Sequence, residues 1–334
     1  MKNMKNEFNV ESSSKAFLWS MFLPQVLSLV LIIILSMFFS GPEEMQASMG
    51  YIIPMMIVSQ ASFAIIYFFS CKKQKISVLS NIKKSTKNLS IKNILICILI
   101  SVIAIAGLVH FVGIFDGLFE KIGYSAGESL IPNNNFAWFL LNVLISCILP
   151  AVLEEAVFRG VIFKGLRNRG FWLAASISAV MFMLVHLSLG SIVYPLIMGL
   201  VFAFVVEKTG NVMYSVIIHF CNNFVIKLID YVNNVSGLNF GEITKASPWH
   251  YVIIVVGAVL AVVLIWVLIR FVLNGKQVDN CKAEENQNQE TSKENKEQEL
   301  ANVFAKRREN IYLWGSLLIG FAFWLIIIIS GLLK

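Results

Sequence analysis

In a chain of 334 residues, 57% hydrophobic and only 14% charged side chains give a mean hydropathy of +0.74, more apolar surface than a soluble core can bury. The composition is that of an integral membrane protein and excludes a water-soluble enzyme. A formal charge of +7 does not call for nucleic acid, because the lysines gather in loops between apolar stretches, where the positive-inside rule and anionic lipid account for them.

A hydrocarbon core about 30 Å thick takes roughly 20 apolar residues per helix. The chain offers about nine such stretches, near 17–40, 51–70, 93–115, 136–158, 171–188, 191–206, 211–231, 249–272 and 311–333. The first is long for a removable signal peptide and lacks a small-residue cleavage site, so it reads as a retained anchor. The expected fold is all-α, a polytopic membrane bundle of about nine transmembrane helices.

Loop charge sets an expected orientation. Lys2, Lys5 and Lys15 precede the first span, the next loop has no lysine or arginine, and the one after it carries Lys72, Lys73, Lys75, Lys83, Lys84, Lys87 and Lys92. The N-terminus is therefore expected in the cytoplasm. On this reading residues 1–16 form a cytoplasmic N-terminal tail, 17–273 a polytopic core, 274–310 a charged cytoplasmic linker and 311–334 a C-terminal transmembrane helix. The linker is rich in Asn, Gln, Glu and Lys, and within it 283–308 has the Glu and Lys spacing of a charged helix. Linker and last helix are candidate contact points for a protein partner.

Cys71, Cys97, Cys147, Cys221 and Cys281 show no CxxC or paired spacing, which argues against a disulfide framework and a thiolate metal site. Ionisable groups inside spans are more informative, since each costs roughly 3 kcal/mol near the bilayer centre and is kept for a purpose. Glu154, Glu155 and Arg159 fall in the fourth span, Phe182 and His186 in the fifth, His219 and Asn223 in the seventh. Glu155 and Arg159 share a helical face and can neutralise each other, while Glu154, rotated by about 100°, can point elsewhere as a base. His219 and Asn223 share a face in the same way. Such a carboxylate and two imidazoles suit either general-base activation of water or a divalent metal with an open position, and the Asn223 amide suits an oxyanion.

At these residues the chain resembles the CPBP family of intramembrane proteases, which includes the eukaryotic CAAX prenyl endopeptidase and bacterial proteins of the Abi type. The family motifs EExxxR, FxxxH and HxxxN stand here in order over roughly 135–229. The resemblance implies an eight-helix catalytic core, to which the linker and last helix are appended. It implies Glu154 as the base activating water with help from His186, Glu155 and Arg159 as organisers, and His219 with Asn223 at the oxyanion. It also implies zinc, with Glu154, His186 and His219 as its ligands.

Each residue also has a plainer reading. Arg159 lies close to Lys164, Arg167 and Arg169 and taken alone is equally a positive-inside charge. A lone imidazole on an apolar helix is more often a structural hydrogen-bonding group. Phe182 carries no acid, base or ligand and reads as packing, and Pro150 is either a kink before the glutamates or a tolerated membrane proline. The joint occurrence of all three motifs favours an endopeptidase acting on a membrane-associated peptide or protein, such as a CAAX protein, a pheromone precursor or a bacteriocin precursor. A noncatalytic scaffold or sensor, bacteriocin self-immunity, and a transporter are the competing functions. The abundance of Lys, Asn and Ile suggests a bacterial plasma membrane.

Overall fold

The first helix starts where Asn9 caps it. The Asn9 side chain accepts from the Ser12 amide at 2.9 Å and the Ser12 hydroxyl accepts from the Asn9 amide at 2.8 Å, so two end donors are satisfied reciprocally. A computed structural model describes residues 7–78, 86, 89–124, 131–237, 248–273 and 294–332, without the side chains of 248–250 and 294–302. Among these residues the elements are helices, with no strand: α1 (Val10–Leu35), α2 (Pro42–Ala47), α3 (Met49–Lys73), α4 (Ile91–Lys121), α5 (Phe136–Arg169), α6 (Phe171–Leu184), α7 (Val193–Thr209), α8 (Val212–Ser236), α9 (Pro248–Val267, continued by a π turn at Leu268–Val272) and α10 (Glu294–Leu332).

Seven of them are long and apolar enough to cross a membrane: α1, α3, α4, α5, α8, α9 and α10. The other two expected spans are shorter helices, α6 with 14 residues and α7 with 17. The fifth span was expected to reach residue 188 but α6 ends at Leu184, because Leu187 takes a left-handed backbone with φ of 49° that a helix cannot continue. The expected boundary at residue 311 also moves. α10 begins at Glu294, so the second half of the charged segment winds directly into the span. Its Glu, Lys, Gln and Ala favour helix, and no Gly or Pro interrupts them before Gly315. The first half of that segment lies outside the described residues.

α5 is the helix around which the others assemble, packing against α1, α3, α6, α7 and α8. Two π turns, Val143–Ile148 and Phe158–Phe163, flank its acidic middle. Pro150 has no N–H to offer the carbonyl four residues back, that of Ser146. That carbonyl instead accepts from the Asn223 side chain of α8 at 3.1 Å. In the second π turn Ser13 of α1 donates to the carbonyl of Ile162 at 3.0 Å. Neighbouring helices thus supply the donors that irregular backbone needs in an apolar medium.

At the periphery, small residues set the spacing. Gly107 of α4 faces Ala261 of α9 so closely that a Cβ would stand 2.2 Å from the alanine methyl. α10 lies on α1 and α6, with Phe323 on Phe22 at 4.7 Å between ring centroids and Arg169 donating to Asn310 and Glu309, each at 2.7 Å. The last helix is packed into the bundle through these contacts.

Candidate active site

Glu154 and Glu155 are neighbours in sequence, both buried, and differ in their partners. Glu155 is fully buried, and its Oε1 accepts from Arg159 Nη1 at 2.8 Å and from His219 Nδ1 at 3.3 Å. Arg159, also fully buried, directs Nη2 to the Gly199 carbonyl of α7 at 3.1 Å. Glu154 points toward α3, where Gln60 Nε2 donates to its Oε1 at 3.3 Å. The hundred-degree step between consecutive helical residues separates the two carboxylates as expected, one engaged by an arginine and one not.

Three phenylalanine rings enclose the Arg159–Glu155–His219 unit. The guanidinium lies over Phe182 at 4.5 Å and over Phe202 at 4.9 Å, with Phe158 at 5.9 Å. Phe202 stacks on His219 at 5.3 Å and 20° between planes, and Phe182 meets the His186 and His219 rings edge-on at 4.9 and 5.9 Å. A cation sandwiched between ring faces gains electrostatic energy when water is excluded, which helps a guanidinium tolerate this depth. Phe182 therefore does more than pack, since its ring touches both histidines and the arginine.

His186 sits just past the end of α6, not within it, and its side chain is accessible. Its Nδ1 lies 2.8 Å from the Phe182 carbonyl, an acceptor, so Nδ1 carries the proton and the Nε2 lone pair remains available. Glu154, His219 and Arg159 all act on it electrostatically. The turn that carries it is tied down by Tyr124 of the α4 end, whose hydroxyl pairs with Ser188 Oγ at 2.8 Å and accepts from the Leu189 amide at 3.2 Å.

The arrangement brings together Glu155, Arg159 and His219 by direct contact, and Glu154 and His186 by electrostatic reach. Asn223 stands apart in one respect, since one of its amide protons is committed to Ser146. Among the described residues no three His, Cys, Asp or Glu side chains are grouped to hold a metal ion. The Nδ1 atoms of His186 and His219 are engaged within the protein, which leaves their Nε2 atoms and the Glu154 carboxylate as the groups that would hold zinc, and no step below runs through it.

Sequence reasoning missed five residues. Gln60 had a signal, as a lone amide in the middle of the second span. Phe158 had its place beside Arg159, and Asn222 its place beside Asn223. Asn222 is 2% exposed, and among the described residues neither of its amide atoms has a hydrogen-bond partner, three residues on from His219. Gly199 and Phe202 carried no signal, because an apolar helix with a glycine and a phenylalanine does not announce which neighbour it faces.

The fold and the cluster define a polytopic helical membrane protein with two carboxylates, an arginine and two histidines gathered among its helices. Residues 136–225 match the family described as type II CAAX prenyl endopeptidase Rce1-like. The chain is also 29% identical over 182 residues to "Putative membrane peptidase YdiL" of Bacillus subtilis (strain 168), an alignment covering 51% of this chain and 72% of that protein. No solved structure matches the chain. Both matches are to proteins described as peptidases, and the first falls on the segment that carries the three motifs.

Proposed function

We propose that the protein cleaves a peptide bond in a membrane-associated peptide or protein, with a water activated by Glu154. The observation that carries this is the division of labour between adjacent carboxylates: Glu155 is held by Arg159 and His219, while among the described residues Glu154 is hydrogen-bonded by the neutral amide of Gln60. A carboxylate with no cation hydrogen-bonded to it among the described residues is free to take a proton from water, and a general base needs that.

Water held between Glu154 and the Nε2 lone pair of His186 gives a proton to Glu154 as its oxygen attacks the scissile carbonyl. The tetrahedral oxyanion takes a hydrogen bond from the second Asn223 amide proton, with the His219 ring beside it and His219 Nδ1 on Glu155. Collapse breaks the C–N bond, and the proton on Glu154 passes to the departing amine. The products are a new carboxyl and a new amino terminus. Fixed donors in a dry site contribute several kcal/mol to such a step. The family points to CAAX-type substrates, and pheromone or bacteriocin precursors of a bacterial plasma membrane share the needed chemistry of a short peptide presented at a lipid surface.

The test compares membrane peptidomes of cells carrying wild-type protein or Glu154→Gln at matched expression. A terminus produced by wild type alone, lost in Glu154→Gln by a factor of about 100 or more, supports the assignment. Identical peptidomes, with the variant reproducing every wild-type phenotype, would move the protein to a noncatalytic scaffold or immunity role. With that substrate in hand, chelation tests zinc separately. Activity that persists with no bound metal supports water activation by Glu154, and loss restored by zinc would reassign Glu154, His186 and His219 as ligands.

A further inference from the structure

Away from the acidic cluster, a cavity of about 420 Å³ opens between the start of α1 and the end of α3. It lies within the usual size range of a small-molecule site. Its walls are of two kinds. Trp19, Leu23, Ile65 and Phe69 give it an apolar length along the two helices, and Lys15 and Lys73 stand at one end. Trp19 and Phe69 are more than half exposed, at 58% and 59%, so the apolar part opens sideways to the hydrocarbon rather than into the bundle.

The charge at that end is not cancelled. Lys15 pairs with Glu11, and Glu11 is also within electrostatic reach of Lys73 and Arg308. The cavity lining holds both lysines and, among the described residues, no carboxylate. Lys15 also lies over the Tyr312 ring at 5.1 Å, so α10 braces the same corner. Lys15 lies near the first turn of α1 and Lys73 in the last turn of α3, which sets both at one membrane face, the face that loop charge assigns to the cytoplasm.

We propose that this cavity binds one anionic phospholipid, with its phosphate between Lys15 and Lys73 and an acyl chain along Trp19, Leu23, Ile65 and Phe69. The charge complementarity decides the occupant: a zwitterionic lipid would bring its own cation to a corner that already carries a surplus. An apolar groove alone would accept any lipid tail, and the two lysines make the headgroup matter. The site adjoins the catalytic unit through α3, which carries Gln60, so occupancy would brace the helix that hydrogen-bonds Glu154.

Native mass spectrometry of the full chain in detergent tests this, by titrating phosphatidylglycerol and phosphatidylcholine of matched acyl chains. The phosphatidylglycerol is expected to bind at least tenfold tighter. Each lysine near an anionic surface is worth roughly a factor of five, so Lys15→Gln with Lys73→Gln together should reduce that preference by tenfold or more. Excess soluble glycerol phosphate should leave the lipid in place. Equal binding of the two lipids, an unchanged preference in the double variant, or displacement by glycerol phosphate overturns the proposal. If the double variant does not fold, Ile65→Trp fills the apolar wall with both lysines intact; loss of lipid there supports the site, and unchanged binding overturns it.

Discussion

The centre of the bundle and its edge are held by different physics. Around α5 the contacts are polar and directional: Arg159 to Glu155 and to the Gly199 carbonyl, His219 to Glu155, Asn223 to the carbonyl opposite Pro150. At the edge, α10 on α1 and α9 on α4 meet through small residues and rings, Gly320 at Phe17 and Gly107 at Ala261. The comparison teaches what each kind of contact tolerates. A buried charge cannot lose its partner, whereas an apolar contact between helices cannot gain an atom.

The largest expected effect comes from breaking the central pair. Arg159→Met removes the counter-charge from a carboxylate with no exposed surface, whose Oε2 has no hydrogen-bond partner among the described residues. Loss of one partner of a buried pair costs about 3–5 kcal/mol, read as a lower midpoint of thermal unfolding in detergent. Adding Glu155→Gln to Arg159→Met removes the stranded charge and should recover part of that loss. A double variant no more stable than Arg159→Met would show that packing of the guanidinium between Phe182 and Phe202, not charge, is what the site needs.

A smaller effect is expected at the edge. A Cβ on Gly320 would stand 2.5 Å from the ring of Phe17, itself fully buried, while a Cβ on Gly315 meets nothing within 4 Å. Gly320→Ala should therefore destabilise by about 1–3 kcal/mol, and Gly315→Ala should be neutral or slightly stabilising through helix propensity. Equal stability of the two variants would mean that α10 is not seated on α1 in this register, and would return the last helix to the role of a detached appendage.

The same division explains what could be read from the chain. The central residues were legible because a bilayer makes charges rare: two glutamates, an arginine and two histidines inside apolar stretches stand out, and their i,i+4 spacing shows which share a face. The long spans were legible from length and composition. What escaped was everything that depends on which helix lies beside which. Phe202 and Gly199 are ordinary residues of a short apolar helix until α7 is seen against Arg159 and Ala179. The end of α6 before His186 turns on one left-handed residue, Leu187, whose side chain gives no hint of it. Pro150 reads from sequence as either a kink or a tolerated membrane proline, and that its missing donor is answered by Asn223 from another helix requires both to be placed.

Gln60 joins the two regimes and gives the finest test. It is an amide in the middle of α3, with Nε2 given to Glu154 and Oε1 buried without a partner among the described residues. At 3.3 Å the bond is long and should contribute about 1 kcal/mol, so Gln60→Leu is expected to lower kcat roughly fivefold. Because Gln60 acts through Glu154 and not on the substrate, KM should hold, and Leu also removes the unpaired buried oxygen, so the protein should unfold no earlier than wild type. Gln60→Glu places a second carboxylate against the first and should cost more activity while altering the pH profile. If Gln60→Leu raises KM at unchanged kcat, the amide faces the substrate instead, and α3 becomes a wall of the binding site and not a support for the base.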